Sequence, residues 1–116
     1  MDVTFTLDDR GLRALASRGP ELIDDVLERV ALQTAARAQS NIRTVGAIDT
    51  GFMINSTRAR RVRPLRWTIG TAADYGVYIE YGTRYVSPRP WLGPAMRDAR
   101  RTFERLARSV LRGVGR

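Results

Sequence analysis

The sequence contains no cysteine, no histidine and no lysine. Without Cys or His there is no soft-ligand zinc or iron–sulfur site, no disulfide framework, no thiolate nucleophile and no imidazole general base. Without Lys there is neither Schiff-base chemistry nor the phosphate-cradling lysine of a P-loop. No pair of carboxylates stands at a spacing that argues for acid–base work, so neither an enzyme nor a bound cofactor or metal is expected. Long apolar runs are missing as well, which argues against a membrane span. Met1 to Leu7 alternates polar and apolar residues and does not read as an export signal, so a soluble protein made in the cytoplasm is expected.

What remains is 116 residues, 43% hydrophobic and 28% charged. That suits one globular domain and is too short for two independent cores. All 20 basic residues are arginine; against 12 acids they leave a net charge of +8. Divided after Thr57, the first part carries net −2 and the second net +10, which together give the +8 of the whole. The bland reading is a solvated helix face; the sharper one is contact with a phosphate backbone or an acidic protein surface, where arginine offers a planar fork of donors.

Val3, Phe5 and Leu7 alternate with polar residues as a short half-buried strand does. Asp8 can cap a brief helix through Leu12, Leu15 and Ala16, closed by Gly19-Pro20. From Pro20 to about Ile42, the residues Ile23, Val26, Leu27, Val30, Thr34, Ala38 and Ile42 recur on one helical face. Thr44 to Gly51 reads as a loop. Ser56 to Arg63 reads as a strand whose Arg58, Arg60, Arg61 and Arg63 cannot all face a core; Pro64-Leu65 turns it back into a partner over Arg66 to Gly70. Asp74 can cap a short helix through Tyr75, Tyr78 and Ile79, although a strand from Val77 to Tyr81 fits nearly as well. Arg84 to Pro90 is a proline-bounded loop. Pro94 opens a last helix to about residue 111, basic and amphipathic, with Met96, Ala99, Phe103, Leu106, Ala107 and Val110 in helical period. The fold expected is α+β: a single domain in which the long helix and the C-terminal helix pack on a small antiparallel sheet. Ile23, Val26, Val30, Trp67, Ile69 and Phe103 should be core. Trp67, Tyr75, Tyr78, Tyr81, Tyr85 and Trp91 could stack on bases, but with only 3 Phe they are more needed in the core.

Three blocks look set by backbone geometry more than by catalysis. The first is Asp49-Thr50-Gly51 with Met53 and Ser56. An Asp-Thr-Gly triplet also occurs in aspartic proteases, but those need a second such Asp facing the first, and the residues after Gly51 do not read as a protease core. The second runs Gly70, Thr71, Tyr75, Tyr78, Glu80, Gly82, Thr83. The third is Pro88-Arg89-Pro90-Trp91-Leu92-Gly93-Pro94-Ala95.

In this order, over nearly the whole chain, the blocks resemble the small tail-component or tail-completion proteins of HK-type siphophages. Ala47 stands where that pattern commonly has proline, Gly76 where Ala is usual and Trp91 where Phe is usual. The resemblance implies a structural virion protein of a long-tailed bacteriophage at the head–tail junction, a homo-oligomeric ring of six subunits between the connector or head-completion protein and the tail-terminator or tail-tube protein. It implies synthesis in the host bacterial cytoplasm and no membrane partner.

On this reading the loop from Arg84 through Arg89 to Trp91, and the Arg58, Arg60, Arg61, Arg63 and Arg66 hairpin, are candidate subunit contacts, with Glu80 and the N-terminal acids as partners for arginine. Ring contacts are heterologous, so an acidic face must meet a basic one. The alternative is a small basic nucleic-acid-binding module using the same hairpin, and the two can coexist, because DNA passes through a neck channel.

Overall fold

The computed structural model describes residues 2–6, 17, 19–45, 50–63 and 66–114. In chain order these form β1 (Asp2–Thr6), α1 (Pro20–Val45), α2 (Thr50–Ser56), β2 (Arg58–Arg63), β3 (Arg66–Gly70), α3 (Gly76–Tyr81) and α4 (Gly93–Val114). The fold is α+β, as the periodicities indicate.

Helix α1 starts where the Gly19 carbonyl accepts the Ile23 N–H at 3.0 Å, with Pro20 supplying a helical φ at a position that needs no donor. Its inward stripe of Ile23, Val26, Leu27, Val30, Thr34, Ala38 and Ile42 is buried throughout. Burying each large aliphatic side chain contributes about 1.5–3 kcal/mol. Thr34 is admitted to this stripe because its hydroxyl donates to the Val30 carbonyl at 2.7 Å.

Helix α4 lies antiparallel along α1. Its start is held near the end of α1, where Asn41 Nδ2 donates to the Trp91 carbonyl at 3.0 Å; further along, Arg37 pairs with Asp98 at 2.7 Å. Ala31, Ala35 and Ala38 on one helix and Ala95, Ala99 and Ala107 on the other are all buried; small residues let the two backbones approach. Ala99, Phe103 and Ala107 are buried, and Met96, Leu106 and Val110 pack half-buried beside them.

The sheet is antiparallel, ordered β1-β3-β2. Central strand β3 sends Trp67 and Ile69 into the core with the α1 stripe, while β2 is an edge on which only Ala59 is half-buried. The β2–β3 register pairs Arg58 with Gly70 and Arg60 with Thr68, then shifts between Arg61 and Arg63.

Several boundaries differ from the sequence reading. The expected loop from Thr44 to Gly51 is mostly helical at its ends: α1 runs on to Val45 and α2 begins at Thr50. No helix breaker precedes Gly46, and Thr44 satisfies its hydroxyl on the Ser40 carbonyl. Ser56 belongs to α2, not to the following strand, because Thr57 closes that helix with its N–H on Ile54 O and its hydroxyl on Met53 O. Residues 76–81 are helical, and the N-cap is Tyr75 with no side-chain cap, not Asp74. Helix α4 starts at Gly93, one residue before Pro94. The expected helix over 8–16, the turn at Pro64-Leu65, and Ala47 and Asp49 lie outside the described residues.

Candidate functional site

The three sequence blocks meet at one junction. Met53 of α2 is fully buried, and its carbonyl accepts from the hydroxyls of Thr57 at 2.6 Å and Thr71 at 3.3 Å. Ser56 Oγ lies 2.9 Å from Thr71 Oγ1 and accepts the Ala72 N–H, while Thr71 Oγ1 accepts the Ala73 N–H. The hydroxyls of the first and second blocks therefore lock α2 to the segment leaving β3.

The second and third blocks are tied by Glu80 and Trp91. Leu92 is the cap residue of α4, since its carbonyl accepts the first helical N–H, from Met96, but its side chain offers no acceptor for the orphan donors of the helix start. Glu80, only 6% exposed, supplies one from α3: Oε2 accepts the N–H groups of Trp91 at 2.7 Å and Leu92 at 3.3 Å, and Oε1 accepts that of Gly93. A carboxylate at this end also complements the helix dipole. Sequence reasoning assigned Glu80 to an arginine; instead it is buried and committed to backbone. Trp91, expected as part of a contact loop, is 0% exposed and donates Nε1–H to the Gly76 carbonyl at 3.0 Å.

This buried brace carries an exposed aromatic knuckle. Helix α3 buries Gly76, Ile79 and Glu80 and turns Val77, Tyr78 and Tyr81 outward. Gly82 then reverses the chain at φ +76. The Thr83 hydroxyl accepts the N–H groups of Tyr85 and Val86, and Thr83 N–H donates to Val86 O at 2.8 Å. The returning segment is pinned by Arg89: its N–H donates to Ile79 O and its guanidinium to Val45 O at the end of α1. Tyr78 is 57% exposed, Tyr81 69% and Tyr85 88%. These three tyrosines are on the surface, not in the core that composition favoured for them; Trp67 and Trp91 are buried and Tyr75 half-buried.

The hairpin arginines are less available than their number suggests. Arg61 is held by Asp24 of α1 at 2.5 Å, Arg58 Nε donates to Asn55 O at 3.4 Å, and Arg66 is half-buried. Arg60 and Arg63 are exposed. A cleft of about 570 Å³ beside β2 is lined by Ser56, Arg58, Arg60, Thr68 and Thr71. Among the described residues no three His, Cys, Asp or Glu gather as metal ligands, and no helix is long and apolar enough to cross a membrane.

Compared with known proteins, residues 9–82 match the HK97-gp10-like family model, described as "Bacteriophage HK97-gp10, putative tail-component". That span covers the first block and most of the second, up to Gly82. No curated protein and no solved structure matches the chain.

Proposed function

Since the chain belongs to the HK97-gp10-like family of phage tail components, we propose that it is a non-catalytic structural subunit of the virion, assembling as a homo-oligomeric ring at the head–tail junction that joins the connector to the tail. The observation that carries this reading is the knuckle: three largely exposed tyrosines with Val77 and Val86, on helix α3 and the loop that follows it, whose base is fixed by buried hydrogen bonds. Rigid aromatic groups held outward are what protein interfaces are built from, because they bury large area at little entropic cost. A second copy offers a complementary face, since Glu21, Asp25 and Glu28 are exposed on α1 together with Leu22 and Leu32, while the knuckle bears Arg84. A head-to-tail contact of this kind gives a ring where its rotation closes.

Two measurements test it. Native mass spectrometry of the purified protein, alone and with connector and tail-tube proteins, should give a closed oligomer in at least one mixture; a monomer in all of them removes the ring. Electron micrographs of particles assembled without this chain should show heads and tails unjoined. Properly attached tails in such particles would remove the joining role.

A further inference from the structure

We propose that the outer face of α4 is a binding track for the phosphate backbone of duplex DNA. Five arginines, Arg97, Arg101, Arg105, Arg108 and Arg112, follow one another at steps of four, four, three and four residues. At 100° per residue they fall within an arc of about 80°, in a row about 22 Å long. The arc is diametrically opposite the buried stripe of Ala99, Phe103 and Ala107, so the row faces solvent, and all five residues are exposed. None of the five forms an ion pair among the described residues. The acids of α4 are already occupied: Asp98 pairs with Arg37 and Glu104 with Arg100.

The chemistry of the row selects its partner. A protein-binding face has an apolar centre, and apart from Pro94 the arc contains nothing but arginine. A row of like charges with no acid inside its arc raises the cost of holding the chain compact and is relieved by a polyanion. Arginine matches phosphate with paired donors. The two strands of a duplex together present a phosphate about every 1.7 Å of axis, so about thirteen lie along a 22 Å row, more than five arginines need. This site is separate from the hairpin and from the knuckle, and it stands or falls independently of the ring.

The test is fluorescence anisotropy of the full chain with a random-sequence 30-base-pair duplex over a sodium chloride series. Five phosphate contacts give a slope of about −4.5 in log K against log salt, so affinity should fall about 500-fold between 50 and 200 mM. The triple variant R101Q/R105Q/R108Q should fall only about 12-fold over the same range, with unchanged helical circular dichroism. The R101K/R105K/R108K variant should keep the steep slope, as should R60Q/R63Q. The proposal is overturned by no binding at 50 mM, by a slope that the glutamine triple leaves unchanged, or by a slope that R60Q/R63Q flattens instead. It is also overturned if the glutamine triple changes the oligomeric state without DNA, since the row would then be a protein contact.

Discussion

The space beside Gly76 that a side chain would need is closed by Thr71 and, less tightly, by the indole of Trp91. A Cβ at Gly76 would stand 3.3 Å from Trp91 Cζ2 and 2.8 Å from Thr71 Cγ2, and the same indole donates its N–H to the Gly76 carbonyl. These are two of the three places where the chain departs from the pattern it resembles, Gly for Ala and Trp for Phe. The larger ring and the missing methyl thus face each other, from two positions 15 residues apart.

Gly76→Ala alone should therefore destabilise the fold by about 1–3 kcal/mol through overpacking, despite a helix-propensity gain of up to about 1 kcal/mol. Trp91→Phe alone should cost about 1–3 kcal/mol from the lost hydrogen bond and the space left behind. Together they should cost about 1 kcal/mol less than the sum. The relief is partial because Thr71 stays in place, its hydroxyl held by Ser56 and Ala73. Urea unfolding of the four proteins measures this, and strict additivity would show that the two sites are uncoupled.

Glu80→Ala should be among the most damaging single changes, costing about 3 kcal/mol. It leaves the N–H groups of Trp91, Leu92 and Gly93 without their acceptor in a buried site. Glu80→Gln keeps one oxygen but turns an amide N–H₂ toward those donors, so it should recover less than half of the loss. Midpoints of thermal unfolding followed by circular dichroism decide it; a glutamine variant as stable as the parent would mean that the carboxylate is not capping α4.

How much of this was legible varies with the range of the interaction. The α1 stripe and the α4 period were readable because helical amphipathicity is local: Ile23, Val30 and Phe103 are core for the reason their spacing implies. The short helix α2 was not, because its seven residues have no apolar period and are fixed by the Thr57 hydroxyl at its end and by that of Thr71, which arrives from beyond β3. Glu80 was misread for a related reason. A carboxylate among tyrosines looks like a surface charge, and only the chain reversal at Gly82 brings it beneath residues 91–93. Trp91 could have been placed by its neighbours, since an aromatic between Pro90 and a helix start packs inward more readily than it waits for a partner.

Gly82→Ala tests that reversal. The residue sits at φ 76 and ψ 177, a region essentially restricted to glycine, and a Cβ would lie 2.8 Å from both Pro88 N and Val86 O. Both are backbone or ring atoms and cannot swing away. The variant should lose about 2–4 kcal/mol of stability, and hydrogen exchange at Thr83 and Val86 should accelerate well beyond that at α1. Unchanged protection there would mean that the turn tolerates a side chain.

The knuckle tyrosines should behave oppositely, because what they lack is contacts within the chain. Tyr81 and Tyr85 make few internal packing interactions at 69% and 88% exposure, so replacing either with Ser should move stability by no more than about 0.5 kcal/mol. If they are the anchors of the subunit contact, each replacement should weaken assembly by about 2 kcal/mol, roughly 30-fold in dissociation constant. Arg84→Glu, placed beside them, should add like-charge repulsion against the exposed acids of α1 on the neighbouring copy. Sedimentation velocity across a concentration series, with thermal unfolding as the control, separates the two effects. Tyrosine variants that assemble like the parent would move the contact off this knuckle and onto another face of the chain.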